Sequence, residues 1–204
     1  MLGVELGAAA YLQRVAELIG QIELGELERW SELIYSAWRE RRRVFVFGNG
    51  GSGTTASHMA EDLGKSLLRH EELFEDAVPR LDILSLTDNA GWIMAVGNDL
   101  SYDQIFVQQL KNYGRAGDVV LAISGSGNSP NVLRAVEWAH ANGLKSFGLT
   151  GYDGGQLRKL QHDGLHVPID DMGITESVHL TLFHWVLNDV FARIHKQGRW
   201  AKAS

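Results

Sequence analysis

The sequence predicts an α/β fold: a three-layer αβα sandwich around a five-stranded parallel sheet, flavodoxin- or Rossmann-like, preceded by N-terminal helices. Three observations predict it. From residue 44 onward, short apolar runs of strand type alternate with helical stretches, the pattern of βα units. The runs lack polar alternation, as strands buried on both faces do. Three of them, ending at 47, 123 and 150, run into glycine-bearing loops.

The elements follow in order. Residues 5–21 and 26–40 carry apolar side chains at helical spacing (Leu12, Val15, Leu18, Ile19; Leu27, Trp30, Leu33, Ile34, Trp38) and read as two leading helices. Val44-Phe45-Val46-Phe47 is a buried strand entering a tight turn. A helix follows from Thr54 to about Arg69. Leu81 to Leu86 is the next strand, then helices over 90–96 and 102–113. Asp118 to Ile123 is a strand, Ser129 to Ala141 a helix, Lys145 to Thr150 a strand, Leu165 to Ile169 a last strand, and 174–196 a long closing helix. No linker, low-complexity tract or fixed-period repeat interrupts this, so a single domain over 1–204 is expected.

Composition bounds the function. With 45% hydrophobic and 22% charged residues the chain is globular rather than disordered. A net charge of −6 argues against broad nucleic-acid binding. The one basic cluster, Arg39 with Arg41, Arg42 and Arg43, reads as a solvated helix end. There are no cysteines, hence no disulfides or thiolate metal sites. No apolar run nears the roughly 20 residues of a membrane span, and no secretory signal pattern is visible; a cytoplasmic location is the expectation. Glycine is abundant, 23 residues against 3 prolines, which suggests close backbone approaches in a compact fold.

In an open parallel sheet, ligands bind beyond the carboxyl ends of the strands. The loops Gly48-Asn49-Gly50-Gly51-Ser52-Gly53 and Ser124-Gly125-Ser126-Gly127-Asn128-Ser129 both lie there. Each precedes a helix whose first N–H groups and dipole favour an anion. Ser52, Ser124, Ser126 and Ser129 add hydroxyls. Gly48, Gly50 and Gly53 formally match a dinucleotide fingerprint, but the acidic residue expected about 20 positions on is missing. The next strand ends near Asp88, 35 residues after Gly53. No nucleotide cofactor is expected; a phosphate is.

These residues carry a resemblance. The chain resembles the sugar isomerase (SIS) domain family, specifically its phosphoheptose isomerases, over nearly its whole length. Asn49, Gly50, Gly51 and Ser52 are similar to that family's first substrate loop, and Val96-Gly97-Asn98-Asp99 to its second. Residues 124–129 resemble its phosphate loop, with Gly125 in place of the usual threonine. Leu149-Thr150-Gly151 with Asp153-Gly154-Gly155 matches a further segment. The resemblance implies isomerisation of a phosphorylated sugar, with Ser124, Gly125, Ser126, Ser129 and Ser52 at the phosphate and Asn98 and Asp99 at sugar hydroxyls. It also implies a homotetramer in which helices 1–42 serve oligomerisation and 43–204 form the phosphosugar-binding core.

The resemblance further implies one zinc ion per subunit, held by a histidine and a carboxylate at i, i+4 after the first loop and by two residues of the last helix. Here these are His58 and Asp62, where the family has glutamate, then Glu176 and His184. The i, i+4 spacing puts His58 and Asp62 on one helix face; Glu61 lies about 100° round. The family's glutamine position falls on Glu176 or, with a one-residue slip, on Thr175; the spacing to His184 favours Glu176. Two imidazoles and two carboxylates suit zinc, and also manganese or iron. Asp62 is then the base and His184 the acid. His179, five residues before His184, is assigned to surface or interface, and His140, His162, His166 and His195 to ordinary structural roles. Trp30, Trp38, Trp185 and Trp200 are assigned to core or subunit packing. Two other readings stay open: a phosphosugar-binding regulatory protein without turnover, like the relative that binds the bacterial replication initiator, and an isomerase of another sugar phosphate.

Overall fold

A computed structural model describes residues 1–201. Three helices lead: α1 (Leu2–Glu5), α2 (Ala8–Gly20) and α3 (Leu24–Glu40). There follow β1 (Val44–Gly48), α4 (Gly50–Lys65), β2 (Ile83–Ser85), α5 (Ala90–Asp99), α6 (Val107–Tyr113), β3 (Val119–Ser124), α7 (Pro130–Ala141), β4 (Lys145–Thr150), α8 (Gly155–Leu160), β5 (Asp163–His166) and α9 (Met172–His195). The five strands form one all-parallel sheet in the order β2-β1-β3-β4-β5.

Alternation along each strand splits the core between two faces. Val44, Val46, Leu121, Ile123, Phe147 and Leu149 pack beneath α2, α3, α4 and α9. Phe45, Phe47, Val120 and Ala122 pack beneath α5, α6, α7 and α8. Trp30 of α3 is fully buried and stacks on Phe147 at 5.6 Å, which seats α3 on the sheet. Trp38 is half-buried against the same layer, whereas Trp185 and Trp200 stay exposed. No described helix is long and apolar enough to cross a membrane.

The predicted elements form with four changes. The leading helix expected over 5–21 spans 8–20 as α2, and a separate helical turn, α1, precedes it. α4 starts at Gly50, so the glycines expected as loop are its first turn. The 102–113 helix splits into a 3-10 turn at 102–104 and α6. The last strand pairs over 163–166 rather than 165–169, and a short helix, α8, precedes it. Pro168 has no N–H to give a ladder and stands outside the paired register.

Candidate active site

In the order 2-1-3-4-5, chain connections reverse direction between β1 and β3, and the crevice there is where such sheets take a ligand. Both loops singled out from the sequence emerge at that point, from Gly48 of β1 and Ser124 of β3. Together they line a depression of about 280 Å³ with Asn49, Gly50, Ser52, Ser124, Gly125, Ser126, Ser129, Met172 and Glu176. Among the described residues, no Lys or Arg lines it. Its anion-binding capacity therefore rests on hydroxyls and on the N-termini of α4 and α7. Ser129 is the N-cap of α7 and Pro130 its first residue, where a missing N–H costs nothing. Ser124 Oγ donates to Ser129 Oγ at 3.2 Å.

The second loop is braced from behind. The Leu157 amide donates to the Gly127 carbonyl at 2.8 Å, and the Gln156 amide to Asn128 Oδ1 at 3.1 Å. At the first loop, Asn49 and Asn131 exchange amide hydrogen bonds of 2.9 and 2.8 Å. Tyr102 Oη donates to Asn49 Oδ1 at 3.1 Å. Sequence reasoning missed Asn131, Tyr102 and Met172. Asn131 sits in the first turn after the serine loop, the turn the anion argument had already marked.

The carboxylate of Glu176 packs directly on Gly51, so close that a Cβ there would overlap it. Thr175, the alternative for the same role, is fully buried, and its hydroxyl donates to the Asp171 carbonyl at 2.9 Å. Glu176 is thus the residue that faces the depression.

Further along α4 and α9 a second group forms. His58 Nε2 lies 3.1 Å and His184 Nε2 3.7 Å from the same Asp62 oxygen, Oδ2. One donor atom from each of these residues falls within 4.8 Å of the others. Glu176 is not part of this trio. The two imidazoles are about two-fifths exposed, open to a ligand, while Asp62 is more enclosed. Glu61 points away and pairs with Lys65.

Asn98 and Asp99 do not join the site within one protomer. They end α5, exposed, with Asn98 Nδ2 donating to Asp99 Oδ1 at 2.8 Å. The segment is a helix end, not a loop. His179 corrects the surface assignment: it is 1% exposed and bonds to the Thr150 carbonyl. The i+5 spacing to His184 does turn it off the face that holds the trio, but that direction leads into the sheet, since α9 is buried on several sides. His140 and His162 share Ser146, His166 meets the Thr150 hydroxyl, and His195 lies 3.1 Å from the Leu67 carbonyl. Of the basic cluster, Arg43 pairs with Asp82 and Arg41 caps α3 in the left-handed region.

Met172 occupies the space a side chain on Gly125 would need. Only the flexible thioether end of Met172, itself partly exposed, stands in that space, so Gly125→Thr is expected to change stability by less than about 1 kcal/mol as Met172 swings aside. Thermal melts check this: a loss of more than about 4 °C would show that Met172 cannot move.

The comparisons with known proteins agree with this geometry. The sequence profile of the SIS domain matches residues 10–151. A phosphoheptose isomerase of Thiobacillus denitrificans is 36% identical over 167 residues, which cover 80% of this chain and 81% of that one. A probable phosphoheptose isomerase of Thermoplasma acidophilum is 32% identical over 181 residues, 89% and 96% of the two chains. The structure of a phosphoheptose isomerase from Neisseria gonorrhoeae superposes with a TM-score of 0.80 at 29% identity, covering 90% of this chain and 95% of its own. With the profile spanning most of its length and relatives of this identity along four-fifths of it, the chain belongs to the SIS domain family and, within it, to the phosphoheptose isomerases.

Proposed function

We propose that the chain isomerises sedoheptulose 7-phosphate to D-glycero-D-manno-heptose 7-phosphate through an enediol. The observation that carries this is the pairing of two half-sites along two adjacent helices. Glu176 meets Gly51 at one end, and His184 meets His58 and Asp62 at the other. Seven residues on α4 and eight on α9 separate the two, about 10–12 Å at the helical rise. A sugar phosphate bound by its phosphate at 124–129 reaches the trio with its far end.

The reaction moves one proton from C1 to C2 of the ketose and another from the C1 hydroxyl to the C2 oxygen. It needs a base at carbon and a group that manages charge on oxygen. Both imidazoles meet Oδ2 of Asp62, which leaves Oδ1 to take the C1 proton and return it to C2. The other ring nitrogen of His184, Nδ1, transfers the proton between the oxygens, since its Nε2 is the atom turned to Asp62. Ser52, Ser124, Ser126 and Ser129 hold the phosphate, and Glu176 faces the sugar from α9.

The donor set of the trio fits a zinc ion: two imidazoles and a carboxylate are three protein ligands that leave a coordination position free. His58, Asp62 and His184 would hold it, and Glu176, which faces Gly51 at the other half-site, would not. When bound, the ion supplies Lewis-acid polarisation of the substrate oxygens.

The active form is a homotetramer with sites at subunit boundaries, in which helices 1–42 take part in assembly and 43–204 form the catalytic core. The large apolar side chains left exposed next to Asn98 and Asp99, namely Met94, Leu100 and Tyr102, support this arrangement. Purified protein given sedoheptulose 7-phosphate should yield the aldose by NMR, lose the activity to a chelator and regain it with zinc. Binding of the sugar phosphate without conversion, whatever metal is added, would instead favour the regulatory reading.

A further inference from the structure

His179 is the one fully buried imidazole of α9, and the isomerisation as derived does not use it. Its Nε2 lies 3.2 Å from the Thr150 carbonyl oxygen. A carbonyl only accepts, so Nε2 carries the proton. Burial pushes the His179 pKa down to about 4, which keeps this donor neutral and in place near neutral pH.

Thr150 is where the bond matters. It ends β4 and stands in register with Ser124, the first serine of the phosphate loop. Its carbonyl also accepts the Val167 amide at 2.9 Å, and its hydroxyl lies 3.0 Å from His166 Nδ1. The next amide, of Gly151, donates to the Gly125 carbonyl at 2.8 Å. Thr175, one turn before His179, packs on Gly151. The end of β4 is thus clamped between α9 and the phosphate loop, and His179 is the polar half of the clamp.

We propose that His179 is a positioning residue for the phosphate loop: through Thr150 and Gly151 it fixes the backbone from which Ser124, Gly125 and Ser126 meet the phosphate. This rests on the reading of 124–129 as the phosphate site. A leucine would fill the volume and satisfy the apolar core around it; only the donated hydrogen bond distinguishes histidine there. With the donor gone, Thr150 keeps its bond from Val167, so the sheet persists while the loop loses one constraint.

The test compares His179→Leu with His179→Gln, which keeps an N–H donor, using inorganic phosphate and sedoheptulose 7-phosphate as probes and zinc as the control ligand. The Leu variant is expected to bind both phosphates about 3- to 10-fold more weakly, the net worth of one hydrogen bond whose acceptor keeps a second partner. Its zinc affinity should stay at the wild-type value. The Gln variant should recover most of the phosphate affinity. Wild-type phosphate affinity in the Leu variant overturns the proposal, as does equal loss in Leu and Gln, or parallel loss of zinc and phosphate. Wild-type protein that binds neither phosphate overturns the reading of the loop, and the proposal with it. A measurement on wild type needs no variant: the His179 Nε2–H resonance should shift on addition of phosphate, and a resonance that stays put while phosphate binds contradicts the coupling.

Discussion

Asp62→Asn is expected to lower kcat/KM by about 100- to 10,000-fold, the range for removing a positioned general base. Asparagine keeps the shape and loses both the proton acceptor and the negative charge between His58 and His184. Zinc affinity should fall with it, because an amide is a poor ligand beside a carboxylate. Asp62→Glu keeps the charge and lengthens the reach, so turnover should survive there. Steady-state kinetics with metal titrations on the three proteins check this. An Asp62→Asn enzyme that turns over like wild type would place the base elsewhere, and Glu176, the other carboxylate facing the ligand space, would be the next to replace.

Asp189→Ala is expected to cost about 3–5 kcal/mol, because it strips a carboxylate from the buried Arg193 guanidinium and leaves the Ser31 and Trp200 donors unpaired. Asp189 is almost wholly buried. Its Oδ2 accepts from Ser31 of α3 and, at 3.1 Å, from Arg193. Its Oδ1 accepts from Arg199 and from the Trp200 indole, each at 2.7 Å. Arg193 is nearly as buried and also lies over the Trp200 ring. Burial alone would raise the Asp189 pKa, but the bonds from Arg199, Ser31 and Trp200 outweigh it and hold the group at about 2. The folded pKa thus lies below the unfolded value near 3.8, so this stabilisation is present above about pH 4 and is lost as the pH falls toward 2. The loss in Asp189→Ala should lower Tm by about 10 °C for a chain of this size. Zinc binding by the folded fraction should be unchanged, since Asp189 anchors the end of α9 beyond His184. A melt within about 2 °C of wild type would show that the network contributes little.

The layered fold was legible because its signals are local. Val44 to Phe47 and Val119 to Ile123 are apolar throughout, and each ends at a turn. The missing pieces depend on tertiary contacts. α8 is six residues long and has no apolar period to find, and its first residue adopts a left-handed backbone in contact with the phosphate loop. Gly50 to Gly53 read as loop because glycine is a poor helix former, yet they form the first turn of α4, where close approach by Glu176 leaves no room for a side chain at Gly51. At the site, the serines and the His58–Asp62 pair could be placed by spacing, because loop and helix geometry fix where such residues point. The trio required His184 to arrive from another helix, and only the family resemblance suggested it. His179 was misread because the spacing to His184 tells which face it leaves, not what lies on the face it joins.

The central claim is that a proton leaves carbon at Asp62 while the phosphate is held at 124–129. Running the conversion in D2O tests it most directly. The trio is open to solvent, so a proton held on Asp62 exchanges before it is returned. The account predicts deuterium at C2 of the aldose and at C1 of the recovered ketose, seen by NMR, in the wild-type enzyme and not in Asp62→Asn. Conversion that leaves both sugars unlabelled, or label that persists undiminished in Asp62→Asn, would contradict it.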